Sequence, residues 1–219
     1  MVFTNRRSTE HTYCKTKPCS TKKIVANEQL CLLTAKNLEI EIPKSFIVTT
    51  DKNNDEAVLF ATQRYDRQFA ASNKVINGLP VPCRLHQEDF AQALGIASVD
   101  KYEKNQEGYM KMLFDLIRSY SADPMTDSVK LWDICVFNYL IGNTDNYIKN
   151  LSLLYGEDLK TIRLAPAYDI VSTMVYKSSM EDMALSVDGK HSINEISRES
   201  GKSREAKSQQ RRREKLRSQ

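Results

Sequence analysis

The chain has 219 residues, 41% of them hydrophobic, and a formal net charge of +4, which suits one ordinary domain or two small lobes around a shared core. No apolar run approaches the roughly 20 residues needed to cross a bilayer, and the N-terminal residues lack the apolar core of a signal peptide. Five scattered cysteines, an odd number, indicate free thiols in a reducing compartment and exclude a disulfide-rich secreted scaffold, so a cytoplasmic protein without membrane contact is predicted.

The first part of the chain changes character near residue 24. Residues 1–24 show no hydrophobic periodicity and are predicted to be a poorly ordered segment. Within residues 25–37, apolar residues recur with helical spacing, which predicts a helix with Asn27 as a candidate N-cap. The run IEIPKSFIVTT predicts a strand that Pro43 confines to an edge or a start. Residues 57–67 begin as a buried strand and end in charged residues, as expected of a strand that leads into a site.

The middle of the chain predicts helices and then a hairpin. Residues 87–94 indicate a short helix and residues 108–120 a longer amphipathic one. Residues 128–141 carry apolar side chains on nearly every face, which is typical of a helix buried inside a domain. The runs LSLLY and KTIRLA follow, joined at Gly156 by residues suited to a hairpin turn.

The C-terminal end is strongly basic, since residues 198–219 contain nine Lys or Arg against three Glu. Aromatic and nearly all aliphatic residues are missing there, so this basic tail is predicted to be a frayed helix or disordered. Its plainest interpretation is a solvated end. The alternative is a protein that binds nucleic acid through the tail, because clustered cations neutralise phosphates.

Three polar residues form the pattern with the clearest chemistry. Asp145 and Asn150 lie five positions apart, directly after a predicted buried helix and before the hairpin, and Asp169 follows the hairpin. Kinases use this order for a catalytic Asp, an Asn that reaches a metal, and a second Asp on the metal that bridges the phosphates. Oxygen donors of this kind suit Mg²⁺. Asp and Asn also favour ordinary turns, but the succession of helix, polar loop, hairpin and Tyr-Asp favours function.

The surrounding motifs resemble the bacterial HipA-type toxin kinases. The segments that carry the resemblance are LIGNTDNYIKNLSLL, RLAPAYDIVST, RYDR at residues 64–67, RLHQEDFAQALG at residues 84–95 and KYE at residues 101–103. The resemblance runs from about residue 26 to residue 190 and implies an α+β, protein-kinase-like fold. It further implies a partial, reduced N-lobe at residues 25–66 and a mainly helical C-lobe at residues 67–197.

The resemblance also implies roles for individual residues. It makes Asp145 the catalytic residue and Asn150 and Asp169 the metal ligands of a serine/threonine protein kinase that uses ATP and Mg²⁺. The implied nucleotide-binding residues are Lys17, Gln63, Arg64, Tyr65, Tyr147, Ile148, Lys149, Asn150, Tyr168 and Asp169. The implied partners are a protein with a Ser or Thr acceptor and a HipB-like antitoxin, with DNA reached only through that antitoxin.

The chain departs from the family's pattern at several places. No glycine precedes Gly78, so the glycine-rich loop over the phosphates is absent, and the sequence predicts an N-terminally truncated kinase. Tyr147 stands where the family usually has His, and Gln63 where it often has an acidic residue. Two further alternatives follow: a silent remnant, or a split kinase that needs a partner chain. Arg64, Asp66 and Arg67 could equally be a surface ion-pair cluster of little energetic worth.

Overall fold

The computed structural model describes residues 12–15, 23–49, 51, 58–69, 75–76, 78–100, 102–103, 108–176 and 181–196. Lys17, one of the implied nucleotide-binding residues, lies outside these residues, as does the basic tail. The expectations for both therefore remain predictions. Cys31 and Cys135 are buried free thiols. Of the helices described, none has both the length and the apolarity that crossing a membrane requires.

The N-terminal part places one helix against a small antiparallel sheet. Its elements are β1 (Thr12–Lys15), α1 (Ile24–Asn37), β2 (Ser45–Thr49) and β3 (Val58–Gln63), with strand order β1-β3-β2. The predicted helix and the two predicted strands are present. Strand β1 lies in the stretch without periodicity and is held by pairing with β3. Leu32 of α1 and Phe60 of β3 are almost fully buried in the same core.

Asn27 is not the N-cap of α1. The helix begins at Ile24, after Lys23 in a left-handed conformation with φ 68°, so Asn27 lies inside the helix. Its side chain instead bonds the backbone of Ser172 in both directions: Nδ2 donates to the carbonyl at 2.9 Å and Oδ1 accepts from the amide at 3.0 Å. A distant partner has replaced the local role that the sequence suggested.

The C-terminal part contains three α-helices among the described residues, together with short antiparallel strand pairs. The helices are α2 (Phe90–Ala93), α3 (Tyr109–Tyr120) and α4 (Pro124–Leu140). The strands are β4 (Arg67–Gln68), β5 (Val75–Ile76), β6 (Leu79–Pro80), β7 (Cys83–Arg84), β8 (Gln87–Asp89), β9 (Ser152–Tyr155), β10 (Ile162–Leu164), β11 (Asp182–Val187) and β12 (Lys190–Ser192). The predicted hairpin is β9 and β10, which pair antiparallel.

The expectation of a helix over residues 87–94 is wrong in its first half. Gln87–Asp89 forms strand β8, which pairs with β9 and so completes a sheet of order β10-β9-β8. The helix starts only at Phe90, because the Asp89 side chain accepts from the Gln92 amide and Gln92 bonds back, a capping box. Local helix signals in this stretch were overridden by pairing with β9.

Helix α4 is longer and less buried than its sequence suggested. It begins at Pro124, capped by the Asp123 side chain, and not at Ser128. Trp132 is 48% exposed and Leu140 is 70% exposed, so the expectation that nearly every face is buried is wrong. The buried face carries Leu131, which packs in one core with Leu113 and Ile117 of α3.

Candidate active site

The loop after α4 is short and is tied to itself. Gly142 turns the chain with φ 66°, and a Cβ at this position would come within 3.0 Å of the Met174 side chain. The Asn150 side chain then donates to the Asp145 carbonyl at 2.8 Å, and the Asp145 amide donates to the Asn143 side chain at 3.2 Å. Asp145 and Asn150 therefore lie on one closed loop, as their spacing suggested. Ile148 between them is fully buried and anchors the loop in the core.

Hydrogen bonds that the sequence did not reveal also hold this loop in place. The side chain of Asn143 donates to the side chain of Asn138, within α4, at 2.7 Å, and both residues are almost completely buried. On the other side, the Thr144 amide donates to the Thr173 hydroxyl at 2.8 Å. The sequence offered one signal of this support. Asn138 is a polar residue on the largely apolar helix α4, and an amide that becomes buried needs hydrogen-bond partners.

Asp145 is exposed, and its carboxylate receives one hydrogen bond. The Tyr102 hydroxyl donates to Asp145 Oδ1 at 2.6 Å, while among the described residues no group donates to Oδ2. The Tyr102 ring lies against the Tyr147 ring with centroids 5.2 Å apart. Tyr147 thus packs beside the carboxylate through its ring. Burial and the hydrogen bond to Asp145 both raise the pKa of Tyr102, so its hydroxyl stays a donor.

A cavity of about 350 Å³ lies beside the loop, between the two parts of the chain. It includes five of the predicted nucleotide-binding residues. Its lining residues are Glu28, Leu32, Pro43, Phe60, Thr62, Gln63, Arg64, Tyr65, Asp66, Gln87, Tyr168 and Asp169. Asp145 and residues 147–150 are not among them, so the structure brings the predicted residues to two adjoining places.

Two cavity residues were not among the predicted nucleotide-binding residues. Glu28 of α1 lines the cavity and is only 2% exposed. Gln87 of β8 also lines it, and its buried Oε1 has no hydrogen-bond partner among the described residues. A buried acceptor without a partner costs free energy, commonly about 1–3 kcal/mol, and a ligand in the cavity would relieve that cost.

Tyr168 connects the cavity to the loop. Its hydroxyl donates to the Lys149 carbonyl at 3.0 Å and also bonds the Ser152 hydroxyl at 2.7 Å. The Tyr168 ring stacks on Tyr65, with centroids 5.8 Å apart. Burial raises the pKa of Tyr65 to about 12, so both tyrosines stay neutral. Asp169, next in the chain, has φ 56°, a left-handed conformation that Asp tolerates better than most residues.

The charged residues after β3 fix the edge of the cavity. Asp66 accepts two hydrogen bonds from the Arg64 guanidinium, at 2.8 and 2.7 Å, and one from Arg67. The side chains of Asp66 and Arg67 are each only 3% exposed, so the alternative of a surface ion-pair cluster is wrong. Burial alone would raise the pKa of Asp66, but Arg64 and Arg67 outweigh it and lower that pKa.

The donor set fits a hard divalent cation that is shared with a ligand. Asn150 can offer an amide oxygen and Asp169 a carboxylate, both of the oxygen type that Mg²⁺ prefers. Among the described residues, no group of three His, Cys, Asp or Glu side chains could hold a metal. Two protein donors agree with Mg²⁺ sites in which phosphate oxygens and water complete the coordination.

Comparisons of sequence place the chain among known proteins. A family model described as the HipA-like C-terminal domain matches residues 2–218. Y4mE of Sinorhizobium fredii, named as a candidate kinase, is 37% identical over 134 residues, which are 61% of this chain and 30% of Y4mE. The serine/threonine-protein kinase toxin HipA of Shewanella oneidensis is 27% identical over 184 residues, 79% of this chain and 40% of HipA. The chain thus spans less than half the length of these relatives.

Comparisons of structure agree with this placement. HipA of Shewanella oneidensis MR-1, solved in complex with HipB and its operator DNA, has a TM-score of 0.70 at 24% identity, covering 91% of this chain and 48% of HipA. The Helicobacter pylori proinflammatory kinase CtkA has a TM-score of 0.51 at 17% identity, covering 74% of this chain and 50% of CtkA. These likenesses confirm the α+β, kinase-like fold.

Proposed function

We propose, since this chain belongs to the family of HipA-like C-terminal domains, that it takes part in transfer of the ATP γ-phosphate to a protein serine or threonine. The observation that carries the proposal is the contact between the cavity and the loop. Tyr168 lines the cavity and bonds Lys149 of the loop that carries Asp145. A nucleotide site and a base on one rigid frame are what phosphoryl transfer requires, because catalysis is mainly positioning and electrostatics.

The cavity is proposed as the ATP site. Its rim contains the backbone of residues 62–66, where an adenine would meet amide and carbonyl groups that a change of side chain at Gln63 does not alter. The partnerless Oε1 of Gln87 offers an acceptor for an amino or hydroxyl group of the nucleoside. Tyr65 and Tyr168 are stacked on each other at the same rim, so that side is preorganised for a flat ring.

Asp145 is proposed as the residue that accepts the acceptor hydroxyl's proton. Its Oδ1 is held by Tyr102, which leaves Oδ2 to receive a hydrogen bond from the substrate. Asn150 and Asp169 would hold Mg²⁺, which neutralises developing charge on the phosphates when it is bound. The carboxylate of Asp145 orients the acceptor hydroxyl without itself needing the metal.

The setting of a toxin and its antitoxin is proposed from the relatives. The Shewanella oneidensis HipA complex contains HipB and operator DNA, so a HipB-like antitoxin is the partner we propose, with DNA contacted through it. A cytoplasmic location agrees with that partnership. Mixing the chain with a HipB-type protein and measuring the mass of the complex by light scattering tests the partnership, and two separate peaks would contradict it.

Transfer of label from radioactive ATP with Mg²⁺ to dephosphorylated casein tests the catalytic proposal. We expect label in casein with the unaltered chain and loss of most of it with Asp169→Asn, because an amide carries no charge to hold the cation. Asp133→Asn is the matched control, since Asp133 is an exposed aspartate on α4, remote in role from the site. It should transfer label normally.

Calorimetric titration with ATP and Mg²⁺ separates the remaining alternatives. Binding without any transfer would favour a split kinase that needs a partner chain. Absence of both binding and transfer would favour a silent remnant and contradict the proposal. Equal loss of label in Asp169→Asn and Asp133→Asn would remove Asp169 from the metal site.

A further inference from the structure

Another cavity, of about 310 Å³, lies on the β11 side of the Asp145 loop. It has both hydroxyl and apolar walls, which suits a small side chain carrying a hydroxyl. Its lining residues are Tyr102, Glu103, Thr144, Asp182, Met183, Ala184 and His191. Thr144 immediately precedes Asp145, so this cavity opens beside the proposed base.

The wall that contains Tyr102 is rigid. Next to it, Glu103 is 6% exposed, and its carboxylate accepts from the amides of Gly108 at 2.6 Å and Ser186 at 2.7 Å. The Glu103 amide also donates to the Ala184 carbonyl at 3.1 Å. These bonds attach the segment to β11 and to the start of α3. The residue next to Tyr102 is therefore anchored, and the Tyr102 hydroxyl itself bonds Asp145.

The two cavities contact different ends of the same loop. Tyr168, from the proposed nucleotide cavity, bonds the loop at Lys149, whereas Tyr102, from the cavity near β11, bonds it at Asp145. In phosphoryl transfer the attacking and leaving oxygens lie roughly in line on opposite sides of the phosphorus. An acceptor that reaches the phosphate from the side away from ADP thus has a place in this arrangement.

Resting on the function proposed above, we infer that the cavity near β11 receives the acceptor serine or threonine of the protein substrate, and that Tyr102 is the positioning residue that turns Asp145 toward it. The Tyr102 hydroxyl occupies Oδ1 and fixes the carboxylate, so Oδ2 faces an incoming hydroxyl. The chemical class of the ligand is a protein segment with a short hydroxyl side chain.

The reaction at this place balances without any further reactant. The acceptor oxygen forms a bond to the γ-phosphorus of ATP while the bond from that phosphorus to the β,γ-bridging oxygen breaks. ADP leaves with the bridging oxygen and its electron pair. The hydroxyl proton passes to Asp145 and from there to solvent.

Steady-state kinetics with casein and ATP as varied substrates test the inference. Tyr102→Phe keeps the ring against Tyr147 and removes the hydroxyl, so kcat should fall about 10-fold while KM for ATP stays unchanged. His191→Phe adds bulk to the wall of the cavity and should raise KM for casein several-fold, again with KM for ATP unchanged. A purely structural defect would not change KM for casein while leaving KM for ATP unchanged.

Tyr155→Phe is the matched control. The Tyr155 hydroxyl also donates to a carboxylate, that of Glu88, at 2.6 Å, but between the paired strands β8 and β9, and neither residue lines this cavity. It should leave kcat and both KM values unaltered. Thermal melting of each variant shows that it is folded.

The outcomes are separable. Unchanged kinetics in Tyr102→Phe and His191→Phe, beside normal transfer by the unaltered chain, would overturn this inference alone. A rise in transfer on Tyr102→Phe would also overturn it, because the hydroxyl would then obstruct the acceptor. Binding of ATP without transfer by the unaltered chain would favour the split kinase, so this chain alone would not place the acceptor and the inference would fall. Absence of both binding and transfer would reject the kinase proposal itself.

Discussion

Asp127 and Asp145 lie near opposite ends of α4 and carry the same carboxylate in contrasting surroundings. Asp127, in the first turn, is completely buried and accepts from Ser121 at 2.6 Å, from Arg163 at 3.0 and 3.1 Å, and from the Leu164 amide at 2.9 Å. Asp145, beyond the last turn, is exposed and accepts from Tyr102. One carboxylate is saturated with donors and the other is open.

The difference separates a structural acid from the proposed catalytic one. Asp127 joins α4 to β10, and its carboxylate would have to break these hydrogen bonds in order to bind a ligand. The Asp145 carboxylate does not have this structural role. The backbone of Asp145, and not its side chain, holds the loop together through Asn150 and Asn143. On the proposed function, stability depends on one carboxylate and chemistry on the other, and variants should separate them.

The largest expected effect is loss of activity in Asp145→Asn. An amide cannot take the acceptor proton, so label transfer should fall roughly 100- to 10,000-fold. The free energy of unfolding should change by less than about 0.5 kcal/mol, because the side chain is exposed. Label transfer and chemical denaturation measure the two quantities. A comparable loss of stability would erase the contrast between the two residues.

The next effect is loss of stability in Asp127→Ala. It removes a buried acceptor and leaves the Ser121 hydroxyl and the Leu164 amide without their partner, so unfolding should become easier by about 3 kcal/mol. That figure is the low end for a broken buried pair, because Arg163 is 39% exposed and water can solvate it. Urea denaturation measures the change. A cost below about 1 kcal/mol would show that the anchor is dispensable.

Acidification should act mainly through the saturated carboxylates. Burial alone would raise the pKa of Asp127, but Arg163, Ser121 and the Leu164 amide outweigh it and lower that pKa. The stability that this carboxylate provides is therefore complete above its unfolded pKa of about 3.9 and is lost as pH falls through the lower folded value. Denaturation between about pH 5 and pH 2 should show the decline, with a flatter slope in Asp127→Asn. An equal slope would contradict the assignment.

The smallest expected effect comes from Ser152→Ala. The Ser152 hydroxyl bonds the Tyr168 hydroxyl at 2.7 Å, while Tyr168 keeps its bond to the Lys149 carbonyl. We expect a loss of about 1 kcal/mol in stability and a modest rise in KM for ATP, with kcat retained. Thr161→Ala is the control, because Thr161 lies at the exposed hairpin turn far from the site. Equal KM values for ATP in both variants would show that Ser152 does not contribute to nucleotide binding.

Much of the fold was predictable because its elements carry local signals. Periodicity located α1, α3 and the β9 and β10 hairpin to within a few residues. It failed for β8, whose strand form depends on pairing with β9 across more than sixty residues, and for the exposed face of α4. Such outcomes depend on which surfaces meet, and a window of sequence does not contain that information.

The candidate site followed the same division. The spacing of Asp145 and Asn150 indicated one tight loop, and such a loop is present. Tyr102 and Gln87 lie in the motifs at residues 101–103 and 84–95 but were not predicted as site residues, because each reaches the site through a tertiary contact that the motif does not reveal. Asp66 was open to a surface interpretation, since charge in a sequence does not reveal burial. Roles assigned from spacing alone remain predictions until the variants above are measured.

The pair of bonds between Asn27 and Ser172 has a mechanical consequence. A side-chain amide that donates to the carbonyl and accepts from the amide of one residue pairs with it as a neighbouring strand would, and here it links α1 to the chain three residues beyond Asp169. Any tilt of α1 would be transmitted toward Asp169 through these two hydrogen bonds. Helix α1 and Asp169, the proposed metal ligand, would then move together, so an event that displaces α1 would also displace the proposed Mg²⁺ site.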